Sequence, residues 1–168
     1  MRVLTAIISV LALTAASAFP QGDLKSLVLK HLKTSEDFTV KVAEAMPASD
    51  YDFKLTSPQM SFGQQMVHLS QGFDYILSPF YGEKPNPPKP KSTSKEDVIA
   101  FIKSSFDRAI NRISSLTPEQ ISKTYTFEGY TESGQDLLLG VLDHITHHRA
   151  SAEMYLRAKG ITPPEYQF

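Results

Sequence analysis

The chain has 168 residues, 41% of them hydrophobic, and a formal net charge of −1 from 17 basic and 18 acidic side chains. This length is typical of one domain with a sizeable core, and the mixed charges form no basic stripe, which argues against nucleic acid as a partner. The sequence contains no cysteine, which excludes disulfides and thiolate nucleophiles. Any metal site must therefore use nitrogen or oxygen ligands.

The first 18 residues have the pattern of a secretory signal peptide. Arg2 precedes an apolar run over residues 3–15, and the small residues 16–18 follow. This order predicts cleavage after residue 18, a mature domain over residues 19–168 and a secreted or periplasmic protein. A retained membrane anchor is the alternative, but the run is shorter than the roughly 20 apolar residues that span a bilayer.

The first half of the mature chain predicts two long helices. Residues 23–45 carry an apolar stripe that ends before a proline, and residues 59–80 carry a second one,. The connection between them, residues 47–58, is predicted to be irregular. A stiff, extended connection is then expected from four closely spaced prolines: Pro85, Pro87, Pro88 and Pro90,.

The second half predicts two more long helices. A capping box from Ser94 to Asp97 begins the third helix,. Residues 117–120 predict a short extra helix, and residues 123–131 an irregular or extended crossover. The last helix covers residues 132–159 and is stopped by glycine and two prolines. The sequence therefore predicts an all-α fold, a four-helix bundle with unequal connections.

Two histidines one helical turn apart are the most informative feature of the last helix. His144 and His148 fall on its apolar stripe with Val141 and Tyr155, where a bundle helix ordinarily carries leucine,. Ring nitrogens at positions i and i+4 project from one face and can share one metal ion. The plainer alternative is a pair of core histidines. His147, about 80° from their midpoint, is expected on the surface or beside the site.

Two segments of the chain resemble one known family. They are the run LDHITHHRASAEMYLRAKGITPP (residues 142–164) and the earlier runs YDFKLTSP and SFGQQMVHL (residues 51–58 and 61–69). Together they resemble the DinB/YfiT-like superfamily. The resemblance implies a four-helix bundle with a long crossover, frequent homodimers, and a divalent metal held by three histidines: His68, His144 and His148.

The assignment of His68 as a metal ligand depends on that resemblance. The residue lies about 120° from the apolar face of its own helix, which by itself is typical of a solvated histidine, although small neighbours such as Ser61 and Gly72 leave room for a pocket. One departure concerns the family's His-His-Arg-Gly-Gln, because this chain has alanine and Ser151 in the last two places. A polar contact of that glutamine is therefore lost or replaced by the Ser151 hydroxyl, which bears on substrate more than on metal.

Other polar residues near the histidines receive plainer predictions. The carboxylates of Asp74 and Asp143 point away from the neighbouring histidines and are expected to be solvated. His31 is expected in or at the edge of the core. Arg149 and Arg157 are expected to be ordinary exposed arginines, with the orientation of an anionic substrate as the alternative. Partners for the second ring nitrogens are sought among Asp143, Gln65 and Gln71.

Three imidazole ligands would leave a divalent ion with an open position, as in reactive sites. Zinc, nickel, iron and manganese all suit such ligands. The first hypothesis is therefore a metal-dependent enzyme acting on an unidentified small molecule, either a hydrolase or a thiol-dependent transferase like some members of the family. Export counts against the transferase, because low-molecular-weight thiols are mainly cytoplasmic. The alternatives are a non-catalytic metal- or ligand-binding bundle and a structural bundle with buried histidines.

Overall fold

Four long helices dominate the part of the chain that the structure describes. The computed structural model describes residues 21–127 and 129–167, and the predicted signal peptide, residues 1–18, lies outside them. Within these ranges no helix is both long and apolar enough to cross a membrane. In chain order the elements are α1 (Gln21–Ala45), a 3-10 turn (Ala48–Asp50), α2 (Phe62–Leu77), a second 3-10 turn (Ser78–Tyr81), α3 (Lys95–Ser114), α4 (Pro118–Ser122), β1 (Thr124–Phe127), β2 (Tyr130–Ser133) and α5 (Gly134–Ala158).

The start of α2 is set by a complete capping box. The Ser61 hydroxyl accepts a hydrogen bond from the Gln64 N–H (3.3 Å), and the Gln64 side chain accepts one from the Ser61 N–H (2.9 Å),. The helix therefore begins three residues later than the predicted position 59. The approach to this cap is held by Tyr155, whose hydroxyl donates to the Met60 carbonyl (2.6 Å). Two turns after the cap comes His68.

Side-chain caps also set the starts of α3 and α4. The Ser94 hydroxyl accepts from the Asp97 N–H (3.2 Å) as predicted, but the Asp97 carboxylate accepts from Ser92 (2.6 Å) and so does not complete the box. At α4 both halves form: Thr117 accepts from the Gln120 N–H (3.2 Å), and the Gln120 side chain accepts from the Thr117 N–H (2.9 Å). The predicted short helix is confirmed.

The helices form a bundle in which α1 and α2 occupy opposite corners, because each packs against both α3 and α5. Near the start of α1, Lys25 donates to the Leu116 carbonyl just after α3 (2.9 Å). At the start of α3, Lys95 donates to the Met46 carbonyl just after α1 (2.8 Å). The two helices are therefore antiparallel.

Helices α2 and α3, in contrast, run in the same direction. The rings of Phe73 and Phe106 lie 4.7 Å apart. Beyond them, Tyr81 in the 3-10 turn that follows α2 donates its hydroxyl hydrogen to the Arg112 carbonyl of α3 (2.6 Å). Two parallel helices that follow each other in sequence need a connection that returns along the bundle. Residues 82–94, with the four prolines, provide it. The long crossover and the all-α bundle fold are confirmed.

The segment predicted to be irregular or extended, residues 123–131, lies in a hairpin between α4 and α5. Its strands pair antiparallel from Thr124 with Ser133 to Phe127 with Tyr130. Gly129 in the turn has φ +87°, a conformation that glycine adopts without steric cost. This segment is extended as predicted, but the crossover along the bundle is the proline-rich connection.

The buried face of α5 differs in phase from the predicted one. Its fully buried apolar residues include Leu138, Val141, Ile145 and Ala152, and the row continues with the buried Arg149. The two histidines of α5 are only half-buried and lie at the edge of this face, toward α2. The prediction that they take the central core positions is therefore wrong. The core positions are those of the next residues, Ile145 and Arg149.

Candidate metal centre

Three histidines meet where α2 and α5 pack side by side. His68 lies on the second turn of α2, and His144 and His148 lie on successive turns of α5,. Each offers one ring nitrogen, and these three atoms lie within 4.8 Å of one another. The ring centroids are 4.4 Å apart for the two α5 histidines and 4.5 to 5.5 Å from His68. The structure thus brings together the three residues that the resemblance implies.

Gly72 makes room for one of these rings. A Cβ atom built on Gly72 would lie 2.7 Å from Cε1 of His144 and still closer to its Nε2, so the imidazole occupies the space that any side chain would fill. Glycine inside a helix costs about 1 kcal/mol relative to alanine. The predicted small-residue pocket beside His68 therefore exists at Gly72. Ser61, in contrast, serves as the helix cap.

One nitrogen of this cluster has no protein partner. Nε2 of His144 is buried and makes no hydrogen bond within the described residues. Buried polar atoms in proteins nearly always have a partner. Three neighbouring imidazoles, one with an unpaired buried nitrogen, are compatible with a metal ligand set,.

Gln65 holds the third ring. The amide nitrogen of Gln65 lies 2.7 Å from Nδ1 of His148. Ligation through the other ring nitrogen requires a proton on Nδ1, and turning the Gln65 amide by 180° would place its oxygen to accept that proton. Of the other predicted partners, Gln71 donates instead to the Pro88 carbonyl (3.0 Å), and Asp143 is exposed to solvent.

Burial favours the neutral, metal-binding form of both α5 histidines. Burial lowers the pKa of His148 to about 4, and the charges of His144, His68 and His147 act in the same direction. Burial also lowers the pKa of His144, against the effect of the backbone carbonyls of His68 and Leu69. Desolvation disfavours the charged form, and a neutral imidazole is the form that ligates a metal ion.

Open clefts reach the histidines from three sides. A mostly apolar cleft of about 440 Å³ touches His68 and His144. Another, of about 520 Å³, extends from His68 to Lys89 in the crossover. The third, of about 420 Å³, touches His148 and Ser151. The Ser151 hydroxyl donates to the His147 carbonyl (2.9 Å), so its hydrogen goes to its own helix rather than to a ring.

Several single-residue predictions are settled by this arrangement. His147 is exposed, with its ring edge-on to His148 at 4.8 Å, and the half-buried His31 lies at the edge of the core, both as predicted. Asp74 is not solvated: its side chain is 12% exposed and pairs with Arg108 at 3.4 Å. Arg157 is exposed as predicted.

The prediction that Arg149 is exposed is wrong. The residue is only 4% exposed, whereas an ordinary surface arginine was the prediction. The signal was present in the sequence, because Val141, Ile145, Arg149 and Ala152 follow one helical stripe. Counting the histidines as members of the stripe moved its centre by one residue and placed Arg149 outside it.

The fold and this histidine cluster are those of a small helical bundle in which three histidines between two helices could hold a metal ion. Residues 19–168 match the DinB family, and the chain belongs to that family. Two solved structures share the fold. One is the DinB-like protein YjoA of Bacillus subtilis, with 22% identity and a TM-score of 0.73 over 84% of this chain and 98% of that one. The other is a DinB-like protein of Bacillus cereus, with 17% identity and a TM-score of 0.71 over 83% and 95%. No curated protein matches the sequence.

Proposed function

We propose that this protein binds one divalent metal ion through His68, His144 and His148 and presents it to a small molecule. The observation that carries the proposal is the convergence of three half-buried imidazoles, whose ligand atoms lie within 4.8 Å of one another. Membership of the DinB family supports it. Zinc, nickel, iron and manganese remain equal candidates, because imidazole suits all four.

The site's own residues have distinct tasks in this proposal. Gln65 orients the His148 ring, and Gly72 gives the His144 ring its place. A divalent ion held by three neutral imidazoles keeps its full charge and supplies Lewis acidity to an oxygen or sulfur group of a bound molecule. Lys89, at the far side of the largest cleft, would attract an anionic end of that molecule. We infer a metal-dependent hydrolase or transferase of a small substrate.

A second candidate function, a non-catalytic metal- or ligand-binding bundle, is favoured by one observation. Among the described residues that line the three clefts, none is Asp or Glu. The nearby Asp74 is engaged with Arg108 and Arg112. A general base for water activation would therefore have to be a histidine, another cleft residue such as Lys89, or the substrate itself,.

Export and pairing are part of the same proposal. The signal-peptide pattern supports a secreted or periplasmic protein whose mature chain begins at Phe19, and intact mass measured on exported protein would show it. A mass that still includes residues 1–18 would contradict cleavage. Light scattering on the mature chain tests for the homodimer that the family resemblance implies.

The metal site is tested by mass spectrometry of metal content on protein purified without a histidine tag. We expect about one divalent ion per chain, lost in His68→Ala and in His148→Ala, because each removes one of three ligands. His147→Ala is the matched control, since its exposed ring neighbours the site without joining the cluster. Absence of metal after reloading, or retention in both ligand variants, would refute the site.

Catalysis is then tested with the metal that is found. Loaded wild-type protein, metal-free protein and His148→Ala are compared on a panel of esters, amides and thiol-transfer substrates. Turnover that needs both the ion and His148 supports the enzyme. Binding of metal without turnover on the panel supports the second candidate.

A further inference from the structure

Arg149 places a buried positive charge on the side of α5 away from the histidines. It follows His148 directly, but neighbouring residues on a helix point about 100° apart. Its guanidinium lies over the ring of Phe38 in α1, with 4.5 Å between the guanidinium carbon and the ring centroid. The side chain therefore faces α1, whereas the candidate metal centre faces α2.

Among the described residues this charge forms no ion pair. Arg149 is 4% exposed, and its Nη1 atom is buried without a hydrogen-bond partner in the described part of the chain. Glu153, one turn further along α5, acts on it electrostatically, but the two form no ion pair within 4.0 Å. A guanidinium stays charged in proteins and presents five N–H donors. Burying such a group without a counter-charge in direct contact is costly.

A small cavity is lined in part by Arg149. Its volume is about 130 Å³, the room of roughly four water molecules at about 30 Å³ each. Hydroxyl groups line it from both helices, and the described residues around it include no Asp or Glu. The polar side chains that border it are His31, Thr34, Ser35, Thr146, Arg149, Tyr166 and Gln167.

We propose that this cavity is a binding site for a small oxyanion, held by the Arg149 guanidinium with help from the surrounding hydroxyl groups. Planar carboxylates and tetrahedral phosphate-type groups both match the donors that an arginine fork presents. The volume admits a group of the size of acetate or phosphate and excludes a nucleotide. Since α1 and α5 both contribute donors, a bound oxyanion would join the two helices.

The proposal is tested by calorimetric titration of the mature protein with sodium acetate and, separately, sodium phosphate, against sodium chloride at matched ionic strength. The protein is metal-free, and the titration is repeated in His68→Ala so that binding at the histidines is recognised. We expect saturable binding that Arg149→Met weakens at least about tenfold, the effect of losing a charge-assisted hydrogen bond. Arg157→Met, an exposed arginine on the same helix, should bind like wild type.

Acetate binding alone assigns the site to carboxylates, phosphate binding alone assigns it to phosphate-type groups, and both outcomes support the proposal. A second variant, Thr146→Val, keeps the charge and removes one hydroxyl, and should weaken binding several-fold even if Arg149→Met does not fold. Titrations with no saturable heat for either anion mean a cavity filled by water alone and overturn the proposal. Equal anion affinity in wild type, Arg149→Met and Thr146→Val overturns it as well.

Discussion

The contact between Gly72 and His144 allows a sharp test of how the bundle builds its histidine cluster. Replacing glycine by alanine inside a helix ordinarily stabilises a protein by up to about 1 kcal/mol. At Gly72 the added methyl group would overlap the His144 imidazole, and such overpacking costs about 1–3 kcal/mol. We therefore expect Gly72→Ala to leave the free energy of unfolding unchanged or to lower it by up to about 2 kcal/mol.

The displaced ring should also weaken metal binding. Loss of a residue that only orients a ligand costs about 10- to 100-fold in metal affinity, and displacement of a ligand itself should cost at least as much. Gly140→Ala is the matched control, because a Cβ at that helical position meets nothing within 4 Å. It should gain up to about 1 kcal/mol and keep the metal.

A double-mutant cycle isolates the contact. In His144→Ala the ring is absent, so adding Gly72→Ala should recover the helix-propensity gain, with a coupling energy of about 1–3 kcal/mol between the two positions. Denaturant unfolding gives the stabilities, and metal titration of the four proteins gives the affinities. Gly72→Ala that stabilises the chain as Gly140→Ala does, with full metal binding, would refute the reasoning.

Two further predictions concern His148. Gln65→Met removes the side-chain contact to Nδ1 and should weaken metal binding about 10- to 100-fold. Gln65→Glu can still accept a hydrogen bond from an Nδ1–H and should keep most of the metal affinity. Metal titration of both variants tests this, and a loss of less than twofold in Gln65→Met would contradict the orienting role. Because burial lowers the pKa of His148 from 6.5 to about 4 in the folded chain, the metal-free protein should be fully stable above pH 6.5 and lose stability as the pH falls from there toward 4. Thermal unfolding at pH 6.5 and pH 5 measures the loss, which should be smaller in His148→Ala than in wild type.

The helices could be predicted from sequence because their signals are local. The cap at Thr117 and the apolar stripes need only neighbouring residues, and both appear in the structure. Helix ends were less predictable: α2 begins at residue 62 rather than 59, since Ser61 forms the cap. The phase of α5 failed for a related reason. A helix that packs against two neighbours has a wide apolar face, and one residue of error rotates its centre by about 100°.

His68 shows where reasoning from one sequence reaches its limit. On its own helix it lies away from the apolar face, and nothing local distinguishes it from a solvated histidine. Its importance comes from the opposite helix, because His144 and His148 approach it only when α2 and α5 pack together. The family resemblance carried that tertiary information, whereas the spacing of residues within α2 could not.

The topology of the bundle explains why the proline-rich connection, residues 82–94, passes beside the histidine cluster. Since α2 and α3 are parallel neighbours, the chain must return along the bundle between them, and its proline-rich segment passes the cluster. Gln71, three residues after His68, donates to the Pro88 carbonyl (3.0 Å) and fastens this segment to α2. Pro87 and Lys89 then line two of the clefts that reach the histidines. The ligands belong to the packed helices, which restrict their changes, whereas the crossover makes few core contacts. We therefore expect changes in residues 82–94 to alter which molecules reach the site while the histidine cluster stays intact.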